Sequence, residues 1–209
     1  MTERGTCSDA ELISGFEGYE LLPHAVRLLA QGSPVTVGEL AVSAGWAEEK
    51  VETLLRSVHG TDWDQGGHLV GFGLTLRPTR HHFIVEGRSL YTWCAADTLI
   101  FTVLLGKPAV AVSPCPATGQ VVRVEVAADQ LGSVDPPEAV VTESRCNQVG
   151  SDFRAQICDH GHFFVSPEAA SGWLSEHPDG EVHSVRDAFE HCGATCQQVG
   201  WLTTEAGRP

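Results

Sequence analysis

Apolar and polar positions in the first part of the chain recur at the spacing of amphipathic helices. Three helices are predicted, over residues 21–31, 36–44 and 47–58. The second begins with a capping box, because the side chains of Thr36 and Glu39 can each accept a hydrogen bond from the other residue's backbone amide. Glycines follow the first two helices and are expected to end them.

The pattern then changes to the two-residue alternation of strands. Two strands flank a Gly-Gly turn at residues 66–67, and a further strand is expected over 82–85. Three helices followed by a β-hairpin is the order of a winged helix-turn-helix. We therefore expect a winged helix-turn-helix-like domain over residues 20–87. Residues 1–19 are predicted to form an N-terminal extension with a short helix over 9–14.

The second half of the chain mixes helical and alternating patterns. A helix is predicted over 90–105. The later predicted elements are strands over 109–113, 120–126, 139–142 and 162–165 and helices over 166–176 and 184–199. This order is typical of α+β proteins, so we expect residues 88–209 to form a catalytic α+β domain with a mixed or antiparallel sheet. The sequence lacks a glycine-rich phosphate loop, which argues against nucleotide chemistry.

Composition favours a protein that acts on a small ligand. A chain of 209 residues with 42% hydrophobic content can bury a real core, and we expect two domains. A formal net charge of -14 argues against nucleic-acid and anionic-membrane partners, which would be repelled. The sequence has no apolar run long enough to span a bilayer and no signal-peptide pattern at its start, so a cytoplasmic location is expected.

The charge of the third helix bears on the usual role of a winged helix. Groove binding needs basic residues, yet this helix carries Glu48, Glu49 and Glu52 against only Lys50 and Arg56. We therefore expect the first domain to have a structural role that covers the substrate. DNA binding by a metal-responsive regulator, or sequestration of the metal, remains the alternative function.

The chain contains seven cysteines, at positions 7, 94, 115, 146, 158, 192 and 196. An odd number argues against a complete disulfide framework. The absence of any CxxC pair also argues against a closed structural zinc site. Reactive or metal-capturing thiols are the remaining explanation.

Cys94 and Asp97 are the most informative of the candidate functional residues. Three positions apart in a predicted helix, they would share one face, and Ala95 and Ala96 would leave the space around them open. Because burial among apolar residues disfavours a charged carboxylate, such an Asp can hold a proton near neutral pH. The alternative is a buried structural cysteine beside an Asp that interacts favourably with the helix dipole.

Four short motifs identify a family. The segments GFGLTL (71–76), LYTWCAADTLIF (90–101), CPATG (115–119) and CDHGHFF (158–164) resemble the organomercurial (alkylmercury) lyases of bacterial mercury resistance. The likeness runs from about residue 20 to about residue 200, with the motifs in the family's order and spacing.

The resemblance implies a cytosolic enzyme that cleaves carbon–mercury bonds, with Cys94, Asp97 and Cys158 as its catalytic residues. It further implies transfer of the Hg(II) product to mercuric reductase or to small thiols. Some family members carry a second cysteine after the one matched by Cys158, where this chain has Asp159. We expect that departure to remove a spare thiol without stopping the reaction.

The chemistry of mercury is consistent with these residue types. Thiolates are the preferred ligands of a soft cation, and two of them on one mercury atom weaken its bond to carbon. Asp97 can take a proton from a thiol and later deliver it to the leaving carbanion. The expected product complex holds Hg(II) on Cys94 and Cys158 with a weaker contact to Asp97. No organic cofactor is expected, and external thiol would support turnover.

Other cysteines and histidines have less certain roles. Cys115 aligns with a family cysteine but lies in a turn, which favours a structural role. His160 and His162 could ligate metal, although hydrogen-bonded structural histidines are more common near strand ends. Cys192 and Cys196 are one helical turn apart and could relay Hg(II) as a pair. Trp93 and Phe101 are expected in the core, and Cys7 and Cys146 are assigned no role.

Overall fold

The computed structural model describes residues 9–16, 18–144 and 152–202 of the chain. Its helices are α1 Asp9–Gly15, α2 Leu22–Leu29, α3 Val37–Ala44, α4 Glu48–Ser57, α5 Ala95–Leu105, α6 Phe153–Gln156, α7 Ser171–Glu176 and α8 Val185–Gln198. Its strands are β1 Asp62–Trp63, β2 Leu69–Phe72, β3 Leu74–Thr75, β4 His81–Val85, β5 Arg88–Thr92, β6 Ala109–Pro114, β7 Val121–Val126, β8 Leu131–Asp135, β9 Val140–Glu143, β10 Phe163–Phe164 and β11 Glu181–Ser184.

Two antiparallel sheets organise these strands. The larger sheet has eight strands in the order β1-β2-β3-β5-β4-β6-β7-β8, and the smaller has the order β10-β9-β11. Helices and antiparallel sheets in one chain confirm the α+β prediction. The larger sheet takes strands from both sides of residue 88, and the domain boundary placed there stays a prediction.

The helices α2 to α4 and the following hairpin form the predicted winged-helix order. The capping box of α3 is present, because Glu39 N donates to Thr36 Oγ1 at 3.1 Å and Thr36 N donates to Glu39 Oε2 at 2.8 Å. Gly45 ends the helix in the left-handed conformation, with φ 68°. The 9–14 helix is also confirmed, as α1.

The predicted helix over 90–105 was wrong in its first turn. Residues Arg88–Thr92 form β5, which pairs with β4 through a two-residue turn at Glu86 and Gly87. Both turn residues have positive φ, 50° and 75°, which matches the right-handed twist of a hairpin. Leu90 and Thr92 point into the core while Arg88 and Ser89 are exposed, so a strand buries the correct side chains. Helix α5 therefore begins only at Ala95.

Two other predictions differ from the structure. The helix expected over 166–176 begins only at Ser171. The residues before it form turns instead, because the carbonyl oxygens of Ser166 and Pro167 both accept a hydrogen bond from Ala170 N. The strands β8 and β11 were not predicted. Strands over 82–85, 109–113, 120–126, 139–142 and 162–165 are confirmed within a residue or two, as is the helix over 184–199.

Helix α5 lies at the centre of the core. Most of its residues are apolar and seven of them are buried, which is typical of a helix that is covered on all sides. It packs against α8, α2 and strands of both sheets. This burial fixes the start of α5, where the candidate site lies. Among the described residues, no helix combines the length and hydropathy that crossing a bilayer requires.

Candidate active site

Cys94 and Asp97 are joined by a capping box at the start of α5. Cys94 is the N-cap residue, with extended backbone angles of φ -135° and ψ 173°. Its Sγ accepts a hydrogen bond from Asp97 N at 3.3 Å, and its own amide donates to Asp97 Oδ2 at 3.1 Å. The prediction that both residues lie within a helix was therefore wrong for Cys94. The two side chains are adjacent because the thiol caps the helix that the carboxylate begins.

Cys158 is brought to this helix terminus by a tight turn. It begins a 3₁₀ turn, Cys158–His160, that directly follows α6. The next residue, Gly161, accepts a hydrogen bond from Ala95 N at 3.0 Å, which joins the turn to the start of α5. The hydroxyl of Thr142 on β9 holds the same segment, because His162 N donates to it at 3.0 Å.

The three predicted catalytic residues form one group in the described part of the chain. The Sγ atoms of Cys94 and Cys158 and a carboxylate oxygen of Asp97 all lie within 4.8 Å of one another. Both thiols are buried, and Asp97 is partly exposed at the wall of a cavity. Two soft ligands and one oxygen ligand at this spacing could hold a thiophilic metal ion.

Burial and mutual contact keep both thiols protonated near neutral pH. The Cys94 thiol donates a hydrogen bond to Cys158, and this bond, burial and the charge of Asp97 raise the pKa of Cys94 well above its ordinary value. The same hydrogen bond lowers the pKa of Cys158, but burial and the neighbouring carboxylates outweigh it and the net shift is upward. A metal that binds these sulfurs must therefore displace their protons.

The carboxyl group of Asp97 titrates much closer to neutrality than an ordinary aspartate. Burial raises its pKa to about 6, while hydrogen bonds from Cys94 and the charge of Arg154 act in the opposite direction. Near neutral pH this group can both accept and return a proton. The predicted partial burial of Asp97 is confirmed, and its role as a proton carrier stays a prediction.

Arg154 connects the Cys158 segment to the first part of the chain. It lies on α6, and its Nη1 donates to Gly60 O and to Asp62 Oδ1, each at 3.2 Å. The guanidinium group also lies 4.7 Å from the ring centre of Trp93, the residue before Cys94. Sequence reasoning missed this arginine, because neither its spacing nor its neighbours indicate an ion pair with Asp62.

A mostly apolar cavity of about 130 Å³ adjoins the three residues. Its walls include Ile13, Phe16, Ile100, Phe101, Phe153 and Trp201. Phe101 is thus both a core residue, as predicted, and part of the cavity wall. Trp93 is buried and packs near Phe72. The cavity can receive an apolar group beside the thiols.

The remaining predicted candidates lie in different places. Cys115 is buried in a separate cluster with Val140, Phe164, Ala170 and Trp173. Burial alone would raise its pKa, but hydrogen bonds from Thr118 and nearby amides lower it overall. Cys192 lines the cavity. Cys196 is fully buried one turn further along α8. Cys7 and Cys146 lie outside the described residues.

The two histidines of the CDHGHFF motif are not part of the metal-ligating group. His160 Nδ1 lies 3.2 Å from His177 Nε2, within hydrogen-bond distance. The ring of His162 stacks on His81 with 5.7 Å between their centres. Burial lowers the pKa of His162 to about 4, so it is neutral near pH 7. The contact of His160 favours the hydrogen-bonded structural interpretation, whereas Nδ1 of His162 is buried without a hydrogen-bond partner among the described residues.

The α+β fold and the group of two thiols and one carboxylate point to a class of enzymes that act on a thiophilic metal through cysteine. Comparison with known proteins places the chain in a family of that class. The family model described as alkylmercury lyase matches residues 74–197, and that of the helix-turn-helix domain of alkylmercury lyase matches residues 17–73. The chain belongs to the alkylmercury lyase family.

Individual alkylmercury lyases are similar to this chain over most of their length. The alkylmercury lyase of Bacillus cereus is 45% identical over 165 residues, which cover 79% of this chain and 75% of the relative. That of Staphylococcus epidermidis is 42% identical over 178 residues, covering 84% and 82%. A crystal structure of the mercury-bound form of MerB2 matches this chain with a TM-score of 0.76. The match covers 92% of this chain and 95% of the MerB2 chain. At 23% identity, this likeness shows the shared fold.

Proposed function

We propose that this protein cleaves the carbon–mercury bond of alkyl- and arylmercury compounds by protonolysis, releasing a hydrocarbon and Hg(II). The observation that carries the proposal is the group of two thiols and one carboxylate, within 4.8 Å of one another, at the wall of an apolar cavity. The cavity would receive the organic group, while the sulfurs bind mercury. Family membership supports an organomercurial as substrate.

The first step is an exchange of thiols on mercury. An organomercurial in the cell carries a second ligand, such as a small thiolate. One of the two active-site thiols displaces that ligand, and its proton leaves with the departing small thiol. The bond between mercury and carbon stays intact at this stage, and the organic group lies against the apolar wall.

The second step uses Asp97 as a proton carrier. Asp97 is mostly ionised above its pKa of about 6, so it can take the proton of the other thiol as that sulfur binds mercury. Two thiolates now donate electron density to the metal. Asp97 then gives the proton to carbon as the mercury–carbon bond breaks. The electron pair of that bond stays with the carbon and forms the new carbon–hydrogen bond. Hydrocarbon leaves, and Hg(II) remains on Cys94 and Cys158.

Release of the product requires thiols from outside the active site. Hg(II) held by two thiolates leaves by further exchange, and small thiols or mercuric reductase are the proposed acceptors. The protonolysis changes no oxidation state that an organic cofactor would have to balance, and we propose that none is used. The cytoplasm, which keeps such thiols reduced, is the proposed location.

The proposal is tested by incubating the reduced protein with phenylmercury and excess small thiol and measuring benzene by gas chromatography. Benzene should form in proportion to the phenylmercury consumed. Cys94→Ser and Cys158→Ser should each lose most of this activity. Cys115→Ser is the matched control, because Cys115 lies in a separate buried cluster, and it should stay active. No benzene from the wild-type protein would refute the proposed activity.

A further inference from the structure

Cys192 adds a third thiol to the cavity that contains Cys94 and Cys158. It lies on α8, which packs along α5, and it lines the cavity together with the two other cysteines. Its Sγ is 3.9 Å from the carbonyl oxygen of Ala96, a residue between Cys94 and Asp97 in the first turn of α5. Cys192 is only 5% exposed to solvent.

Cys196 provides an internal contrast one turn further along α8. Its Sγ is 3.8 Å from the carbonyl oxygen of Ile100, and the residue is 0% exposed. It is absent from the residues that line the cavity, and burial raises its pKa to about 12. The sequence suggested that the two cysteines could act as a pair. Their surroundings separate them into one thiol at the cavity and one in the core.

We propose that Cys192 accepts Hg(II) from the Cys94–Cys158 site as the first step of product release. The inference rests on the proposed function for the origin of that Hg(II). A third thiol beside a two-coordinate mercury allows exchange without first freeing the metal into water. Its position in the wall of the same cavity makes it available before an external thiol enters.

The exchange balances without an oxidant or reductant. The bond between Cys192 Sγ and mercury forms while the bond from mercury to Cys94 or Cys158 breaks. The Cys192 proton passes to Asp97, which has just lost its own proton to carbon, and from Asp97 to the departing thiolate. Mercury stays Hg(II) with two sulfur ligands, and one active-site thiol is regenerated.

Direct loading with mercuric chloride tests this step independently of carbon–mercury cleavage. If Cys192 can ligate the metal, Cys94→Ser should still bind one Hg(II) tightly through Cys158 and Cys192, with two mercury–sulfur bonds in X-ray absorption spectra. The double variant Cys94→Ser/Cys192→Ser should bind at least about 100-fold more weakly in competition with a dithiol. Cys94→Ser/Cys196→Ser is the matched control and should bind like Cys94→Ser.

Release kinetics supply the second measurement. Hg(II)-loaded Cys192→Ser should transfer its metal to glutathione about tenfold more slowly than the wild-type protein. The assay starts from Hg(II)-loaded protein, so any effect of the substitution on carbon–mercury cleavage does not enter the transfer rate. Equal mercury affinity in the two double variants, or equal transfer rates for Cys192→Ser and wild type, would overturn the relay. If the wild-type protein released no benzene, the lyase activity would be refuted instead. The mercury-loading result would still decide whether Cys192 ligates Hg(II).

Discussion

Cys94 and Asp97 each satisfy the other's backbone amide at the start of α5. The amide of Asp97 donates to the thiol sulfur at 3.3 Å, and the amide of Cys94 donates to the carboxylate at 3.1 Å. Residues that usually fill this position are Ser, Thr, Asp and Asn. A thiol in their place gives the helix a cap and gives the cavity a soft ligand. The same two side chains therefore begin a core helix and form two-thirds of the proposed catalytic group.

This double role predicts that serine and alanine replacements of Cys94 will differ in stability but not in activity. Cys94→Ser keeps an acceptor at the N-cap, whereas Cys94→Ala removes it and should lower the free energy of unfolding by about 1 kcal/mol. Both variants should lose most of their benzene release from phenylmercury. Urea denaturation and the benzene assay measure the two effects separately. Equal stability of both variants would show that the thiol does not cap the helix.

Asp97 should make the stability of the protein fall as pH rises through a defined window. Its pKa is 3.8 in the ordinary case and about 6 in the folded protein. Between these values the folded state binds the proton more tightly than the unfolded chain does, so stability decreases from low to high pH across the window. Asp97→Asn lacks this titration, and its amide oxygen can still accept the hydrogen bond from Cys94.

We expect Asp97→Asn to be about 1–2 kcal/mol more stable than wild type at about pH 8, an estimate reduced because Asp97 faces a cavity that water can enter. The difference should shrink below about pH 6 and disappear near about pH 4. Urea denaturation of both proteins at several pH values is the measurement. A constant difference across this range would mean that the native carboxyl group has an ordinary pKa. The variant should also be unable to protonate carbon.

The sequence was sufficient for the elements whose signals are local. The helices α2 to α4 were predictable because their apolar residues recur at helical spacing, and for α3 the Thr36–Glu39 capping box and Gly45 agree with that spacing. The start of α5 was not, because the apolar stretch from Leu90 onward suits a strand and a helix equally well. Only its pairing with β3 and β4 makes residues 88–92 a strand.

The candidate site residues could be predicted from the sequence, but their geometry could not. Cys94, Asp97 and Cys158 lie in motifs that resemble one family, so they could be proposed without a structure, and their catalytic role stays a prediction. Their proximity depends on contacts far apart in sequence, such as Ala95 N to Gly161 O. The roles of Thr142 and Arg154 depend on the same tertiary arrangement, and no sequence spacing encodes it.

Gly161 should be required for activity because of the space it leaves beside Cys94. A Cβ at this position would lie 3.0 Å from Cys94 Cβ and 3.6 Å from its Sγ. The backbone angles of Gly161, φ -87° and ψ 110°, suit any residue, so the constraint is steric. Gly161→Ala should shift the thiol and lower kcat about tenfold or more. Gly172→Ala is the matched control, since its Cβ would meet nothing within 4 Å. Equal losses in both variants would reject the steric explanation.

Two substitutions of Arg154 should separate the effect of its charge on the site from the effect of its hydrogen bonds on stability. Its positive charge lowers the pKa of both Asp97 and Cys158, and its guanidinium group binds Asp62, whose side chain is only 14% exposed. Arg154→Met should move the acidic limb of the pH–rate profile to higher pH, because Asp97 must be ionised to accept a proton. Arg154→Lys keeps the charge but cannot reproduce the planar fork, so that limb should stay in place while stability falls by about 1–2 kcal/mol. Benzene release measured from about pH 5 to about pH 9, with urea denaturation of each variant, distinguishes the two effects. A profile unchanged in Arg154→Met would remove the arginine from the electrostatics of the site.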